Sequence, residues 1–212
     1  MLTHLRPALT LFAVLTLITG VAYPLFITGI AQVAFTVKAY GSIITGADGK
    51  PIGSTLIGQE FGTSDVALAP ARAMWFWGRP SATGPVPYTA LNLEKATGSS
   101  GSNLAPTNPA LLDAIKARIA ALDAADASVG LAQGDRVIPI DLVTSSASGL
   151  DPHISPAAAE YQVPRVAKVR GMSEDAVRTL VQQHTSARSL GILGERTVNV
   201  LTLNRALQGF RP

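Results

Sequence analysis

From Pro7 to Val37 the chain carries no charged side chain, and the apolar centre of that run extends from Ala8 to Ile30. Crossing about 30 Å of hydrocarbon takes about 20 apolar residues in a helix. Lipid offers the backbone no hydrogen-bond partner, so a segment placed there must be helical. The run is longer than the roughly 7 to 15 apolar residues of a cleaved signal peptide, although Gly29-Ile30-Ala31 has the small residues of a cleavage site. It is apolar on every face, which argues against a core helix. The sequence predicts a flank at 1–7, a transmembrane helix over 8–31 and one soluble domain over 32–212.

Pro24 lies inside the span and threatens a kink, because a proline leaves one carbonyl without its N–H partner. Gly20, Ala22 and Gly29 are small enough to let another helix approach closely. A kinked lone anchor and a span packed against other membrane helices both fit these residues. Arg6 flanks one end, and Lys38 and Lys50 flank the other. The Lys and Arg counts that set orientation nearly tie, so charge leaves both orientations open.

The chain has no cysteine, which excludes disulfides, thiolate metal sites and cysteine nucleophiles. Its net charge is +3, but the charge does not cluster. From Leu131 onward there are nine Lys or Arg against seven acids, Asp135 and Arg211 among them. A nucleic-acid surface needs concentrated positive charge to neutralise phosphates, so no nucleic-acid partner is expected.

The soluble part reads as mixed α/β, more helical than not. Gly46 to Gly53 is rich in turn residues, and Leu56-Ile57 and the stretch near Phe61 read as short strands or an extended arm. Ala73 to Pro80 holds both tryptophans, Trp75 and Trp77, as core or as a contact face for a partner. Asn108 followed by Pro109 predicts a capped helix to about Ala127. Its apolar stripe would be Leu111, Leu112, Ile115, Ile119 and Leu122, with Lys116 and Arg118 facing elsewhere. Val137 to Val143 reads as an edge strand because Pro139 cannot donate to a ladder. Ser155-Pro156 opens a helix that Pro164 would divide and Gly171 would end. Ser173 caps the next helix, with Glu174 and Asp175 complementing its dipole. Val198 to Leu207 reads as a final helix.

Asp151, His153 and Ser155 are the side-chain types of nucleophilic catalysis, but a triad is defined by geometry and not by adjacency. Two prolines here favour a rigid turn with Ser155 as a helix cap. The three histidines, His4, His153 and His184, have no metal-ligand spacing. The loop from Gly98 to Asn103 could offer amides to a phosphate but lacks the Gly-Lys-Ser/Thr ending of a phosphate-binding loop. Thr144 to Gly149 could meet an anion through its hydroxyls or serve as a turn. The segments around Gly171 resemble a helix-turn-helix, but the second helix offers few basic groups.

Several segments then fit together. They are Gly53-Ser-Thr-Leu-Ile-Gly-Gln-Glu-Phe61, Trp77-Gly-Arg-Pro-Ser81 and Gly101-Ser-Asn-Leu-Ala-Pro-Thr-Asn-Pro109. Pro139-Ile-Asp-Leu-Val-Thr144, Gly149-Leu-Asp-Pro-His-Ile-Ser-Pro156 and Leu193-Gly-Glu with Val198 to Asn204 complete the set. In this order, behind one span, they resemble the C subunit of the bacterial potassium-transporting P-type ATPase, the KdpC family.

The resemblance implies an inner-membrane pump subunit with a cytoplasmic N-terminus and an extracytoplasmic domain. Its partners would be a channel-like subunit that binds potassium and a P-type subunit that hydrolyses ATP. The family is described as a catalytic chaperone that raises ATP affinity. No cofactor of its own is implied beyond ATP held through the hydrolysing subunit. The serine-rich loop likened to a transporter-ATPase signature falls on Ser145, Ser146, Ser148 and Gly149. The family usually has Gly where this chain has Ala147 and Ala105. There is no Asp-Lys-Thr-Gly phosphorylation motif, so no catalytic residues are expected. Arg79, between Gly78 and Pro80, is expected to matter more than its neighbours. The alternative reading is a membrane-anchored binding module using Trp75 and Trp77, with an anchored hydrolase using His153 further behind.

Overall fold

The computed structural model describes residues 2–46, 48–83, 91–92, 97–131 and 136–209. Asp135 and Arg211, counted in the charge balance, lie outside the described residues. The chain divides into two compact units, Met1–Ser54 and Thr55–Pro212.

The first unit holds α1 (Leu2–Leu17), a π-helical turn (Ile18–Ala22) and α2 (Tyr23–Ala34). The stretch His4–Ala34 is long and apolar enough to cross a membrane, and none of its apolar window is buried. The chain meets Pro24 with the π-turn. The Tyr23 N–H bonds the Ile18 carbonyl, a wider step than the α ladder, directly before Pro24, which has no N–H to place. The helix turns at Phe35 into the short α3 (Thr36–Ala39). A hairpin of β1 (Ile43–Thr45) and β2 (Pro51–Ser54) follows, tied to its entrance by Ser54 Oγ donating to the Gly41 carbonyl at 2.6 Å. The extended segment expected at Leu56-Ile57 is a turn, and the strand comes just before it.

The second unit begins with the single turn α4 (Ala69–Arg72) and a minimal hairpin of β3 (Leu91–Asn92) and β4 (Thr97–Gly98). The long helix α5 (Pro109–Ala127) starts where the sequence places it, with Asn108 Oδ1 accepting from the Ala110 N–H. Its buried face overlaps the expected stripe in part: Leu122 is buried, and Leu111, Ile115 and Ile119 are half-buried. Arg118, Ala121, Leu122, Ala125 and Asp126 are buried, whereas Leu112 is exposed. Arg118 therefore faces inward, because its guanidinium finds three backbone carbonyls there.

No strand forms over 137–143. Pro139 and Ile140 carbonyls accept from Leu142 and Val143, closing a 3-10 turn at Ile140–Leu142. Next come β5 (His153–Ile154) and α6 (Pro156–Arg170), the latter capped by Ser155 Oγ. Pro164 does not divide α6. The buried neighbours Val163, Arg165 and Val166 hold the helix through the one missing N–H. Gly171, at φ +64, ends it, and Ser173 caps α7 (Glu174–Gln183). The last elements are β6 (Thr185–Ser186), β7 (Thr197–Asn199) and α8 (Val200–Gly209). The expected final helix thus starts two residues late, after a strand that sits between β5 and β6 in an antiparallel sheet.

The core of this unit lies where α5, α6, α7 and α8 meet the Phe76–Trp77 segment, with Leu122, Leu142, Val163, Val166, Val177, Val198 and Leu203 filling it. Trp77 is fully buried, so it is core and not a contact face; Trp75 is half-buried against Phe61. Arg178 on α7 pairs with Glu160, Glu174 and Asp175, so the helix-turn-helix likeness ends in an acidic-basic cluster.

Candidate functional site

Three serine-rich segments converge beside Arg79. The Arg79 side chain donates from Nη2 to the Ser145 carbonyl at 3.0 Å, and its Nη1 lies 3.5 Å from Asp151 Oδ2. One guanidinium therefore joins the two ends of the Ser145–Asp151 loop. The Ser146 N–H donates to the Pro80 carbonyl at 3.1 Å. The Ser148 carbonyl accepts from Ser99 Oγ at 2.8 Å and from the Ser100 N–H at 3.0 Å. Ser81 Oγ donates to the Gly149 carbonyl at 2.7 Å.

Of the four residues singled out for nucleotide contact, Ser146 and Gly149 are buried, Ser145 is half-buried and Ser148 is exposed. The Gly149 N–H donates back to the Ser146 carbonyl at 3.3 Å, and Ser148 Oγ accepts from the Leu150 N–H at 3.0 Å. Gly149 sits at φ +68, and a Cβ there would fall 2.5 Å from the Ser100 carbonyl oxygen. Gly101 abuts the same loop, with a Cβ position 2.6 Å from the Ala147 carbonyl oxygen. Ala147 itself is not among the positive-φ residues, so the loop does not require glycine there on backbone grounds.

Asp151 is the hub at the end of this loop. Burial pushes its pKa up, but hydrogen bonds from His153 and the Arg79 charge outweigh it, so the carboxyl titrates below its ordinary value. Its Oδ1 accepts from the His153 N–H at 2.9 Å and lies 3.6 Å from His153 Nδ1. Ser155 does not complete a triad. Its hydroxyl caps α6 through the Ala158 N–H at 3.0 Å and lies 3.3 Å from Asp141 Oδ1. His153 Nε2 faces Asn199 Nδ2 at 3.5 Å instead.

His153 and His184 line one open cleft of about 390 Å³ with Asn199, Thr202 and Gln183. A smaller cavity of about 60 Å³ lies between Glu60, Gly62, Ser64, Arg79, Ser81 and Arg118. Among the described residues no group of three His, Asp or Glu side chains could hold a metal ion.

Behind the loop lies a polar core that sequence reasoning missed. Arg118 donates to the carbonyls of Leu142, Thr63 and Gly78 at 3.0, 2.6 and 3.0 Å. Its guanidinium stacks on the Trp77 ring at 4.7 Å, and that of Arg165 stacks on the same ring at 4.8 Å. Arg165 is fully buried, and burial pulls its pKa down while Asp126 opposes the shift. Asp126 is buried and faces both Arg165 and Arg136. A helix stripe scored by hydropathy treats each of these charges as outward-facing. The available signal was the i, i+3 pair Gln162 and Arg165 on the face that also carries Ala158 and Val166.

The family model described as KdpC, K+-transporting ATPase, c chain, matches residues 5–209. A potassium-transporting ATPase KdpC subunit of Polaromonas naphthalenivorans (strain CJ2) is 58% identical over 208 residues, covering 98% of this chain and 95% of its own. One of Sorangium cellulosum (strain So ce56) is 56% identical over 211 residues, covering 100% of both chains. One of Methylibium petroleiphilum (strain ATCC BAA-1232 / LMG 22953 / PM1) is 54% identical over 212 residues, again 100% of both. With helix, serine loop and C-terminal sheet all inside the matched span, the chain belongs to the KdpC family, the c chain of the potassium-transporting ATPase.

Proposed function

We propose that this chain is an accessory, non-catalytic subunit of an ATP-driven potassium-uptake pump. It assembles with a channel-like potassium-binding subunit and an ATP-hydrolysing P-type subunit, and it supports ATP use by the latter. The anchor takes residues 8–31, with 1–7 in the cytoplasm and 32–212 outside the inner membrane. The observation that carries this reading is the family match, which spans both the apolar helix and the soluble part. The non-catalytic part is supported by Ser155, whose hydroxyl is engaged as a helix cap beside Asp141 and not beside His153.

Direct contact of ATP with Ser145, Ser146, Ser148 and Gly149 is the finer part of the family description. The Ser146 and Gly149 amides already donate within the protein, so a nucleotide would meet mainly the exposed Ser148. We place the effect on ATP use in contacts between subunits. The test expresses the pump with and without this chain. Co-purification with the other subunits and a lower KM for ATP in its presence are expected. A pump that assembles and hydrolyses ATP identically without it overturns the reading. Protease accessibility in intact cells against inside-out vesicles reads the sidedness. Cleavage only from the cytoplasmic side would return Ser145–Gly149 to consideration as a nucleotide site.

A further inference from the structure

The C-terminal sheet brings two histidines from separate elements to one cleft. β7 pairs with β5 as His153↔Asn199 and with β6 as Thr185↔Val198. Alternate residues of a strand face opposite sides. Ile154 and Val198 belong to the core, so His153 and Asn199 face away from it. His184 directly precedes β6, and one step along the same register stands opposite Asn199. The outer positions of such a row lie two strand spacings apart, about 10 Å, which two imidazoles can span by meeting over Asn199. Both rings line the same open cleft of about 390 Å³.

The hydrogen bonds around Asn199 fix both tautomers. Its Oδ1 accepts from the Thr202 N–H at 3.1 Å, and its Nδ2 donates to the Thr55 carbonyl at 2.8 Å, so the amide has one orientation. Nδ2 is therefore a donor where it meets His153 Nε2 at 3.5 Å, and that ring nitrogen carries the lone pair. The proton sits on His153 Nδ1, which lies 3.6 Å from Asp151 Oδ1. On the other side, the Thr202 hydroxyl gives its single proton to the Asn199 carbonyl at 3.1 Å. It can then only accept from His184 Nδ1, 3.1 Å away. His184 Nε2 thus carries a lone pair too, and among the described residues no protein group bonds it.

An imidazole whose Nδ1–H is held by an oxygen and whose Nε2 is bare is the form in which histidine ligates a metal. We infer that the cleft binds one late first-row divalent metal ion, of the zinc and copper class, between His153 Nε2 and His184 Nε2. Imidazole nitrogen suits these ions, whereas magnesium and calcium take oxygen ligands. Among the described residues no third His, Asp or Glu completes a ligand set, so water fills the remaining positions. Two protein ligands make a looser site than the four of a structural zinc centre, and the ion exchanges with solvent. It ties β5 to the junction of α7 and β6 across β7. Spacing along the chain does not reveal the pair, because the sheet register creates it.

The test uses the full chain in detergent, without a polyhistidine tag and stripped of metal by a chelator. Calorimetric titration with Zn²⁺ is expected to give one site per chain. One equivalent of Cu²⁺ is expected to show coupling to two imidazole nitrogens in its paramagnetic resonance spectrum. His153→Gln and His184→Gln should each weaken Zn²⁺ binding more than tenfold. Asp151→Asn keeps both ligands but loosens the His153 ring, and should weaken binding about tenfold. His4→Gln should change nothing. Zn²⁺ should raise the melting temperature of the wild-type chain and not of either cleft-histidine variant, and Mg²⁺ should move neither. Should a variant fail to fold, the copper spectrum of the wild-type chain still decides. No site in the wild-type chain, a site abolished by His4→Gln, a copper signal from a single nitrogen, or unchanged affinity in either cleft-histidine variant overturns the inference.

Discussion

Gln162 and Trp77 are joined by a two-way hydrogen bond across the core. The Trp77 N–H donates to Gln162 Oε1 at 2.7 Å, and Gln162 Nε2 donates to the Trp77 carbonyl at 3.1 Å. The preceding residue repeats the arrangement. The Phe76 N–H donates to Asn204 Oδ1 and its carbonyl accepts from Asn204 Nδ2, both at 2.9 Å. Two amides, one from α6 and one from α8, thus take the place of a neighbouring β-strand for a two-residue segment that has none. All four side chains are buried.

Removing either amide leaves a backbone N–H and carbonyl buried without partners. Gln162→Met and Asn204→Leu are each expected to lower stability by about 2–5 kcal/mol, the cost of two unsatisfied groups. Once one amide is gone the segment loosens, so the double variant should cost less than the sum of the singles. Chemical denaturation of the full chain in detergent reads both effects. A strictly additive double variant would mean the two clamps act independently.

Asp126 supplies the negative charge that Arg165 faces in the core. Asp126→Asn keeps the shape but leaves a fully buried guanidinium without its counter-charge. A loss of about 3–5 kcal/mol is expected, as for other broken buried pairs. Replacing both residues by apolar ones, Asp126→Leu with Arg165→Met, should recover part of that loss. Melting temperatures of the three chains decide it, and a double variant no better than Asp126→Asn would refute the account.

The parts legible in the sequence were those with local causes. The uncharged run, the caps at Asn108, Ser155 and Ser173 and the stop at Gly171 all act within one turn of themselves, and each lies where expected. The parts missed depend on distant partners. Arg118 reads as solvent-facing until Thr63, Gly78 and Leu142 bring three carbonyls to it. Pro164 reads as a helix break until the buried Val163 and Val166 pin both sides of it. Val137–Val143 has strand-like composition, but no neighbouring ladder is present among the described residues to hold it open. The serine loop stood out by its hydroxyls, and the resemblance narrowed it to Ser145, Ser146, Ser148 and Gly149. That its Ser146 N–H reaches the Pro80 carbonyl, and its Ser148 carbonyl accepts from Ser99 and Ser100, across the fold was not readable from spacing.

Gly149 is where that loop tolerates no side chain. A methyl group there would overlap Thr83 and the Ser100 carbonyl, and the backbone is left-handed. Gly149→Ala is expected to cost roughly 2–4 kcal/mol, overpacking added to strain. Gly171 shares the left-handed backbone but has open space around it, so Gly171→Ala should cost only about 1–2 kcal/mol. Equal losses at the two positions would show that packing around Gly149 contributes nothing. Ala147→Gly should not stabilise the chain, because Ala147 needs no positive φ.

Asp151 makes the loop acid-sensitive. Its folded pKa lies below the ordinary 3.8. A group depressed on folding contributes stability that is fully present above its unfolded pKa and is lost as pH falls through the folded value. Stability should therefore drop below about pH 4, and Asp151→Asn should flatten that part of the profile while lowering the plateau above it. Arg79→Gln should act in the same direction, since the guanidinium is one cause of the shift. An Arg79→Gln chain with the wild-type profile would separate the two residues and also contradict the weight placed on Arg79.

His184 sets a second, higher window. Burial lowers its pKa from the ordinary 6.5, and its Nδ1 lies 3.1 Å from Thr202 Oγ1 in the cleft it shares with His153. A half-buried neutral imidazole with a lowered pKa gains a proton more readily in the unfolded chain than in the folded one. Its contribution is complete above pH 6.5 and shrinks as pH falls from there toward the lower folded value. Melting temperature in detergent should therefore decline as pH falls below about 6.5, at higher pH than the decline set by Asp151. His184→Gln keeps a polar side chain opposite Thr202 but carries no proton-linked charge, so it should flatten this window and leave the drop below pH 4 in place. Loss of both declines together in that variant would mean that the cleft and the serine loop unfold as one unit, with His184 reporting on Asp151 rather than on itself.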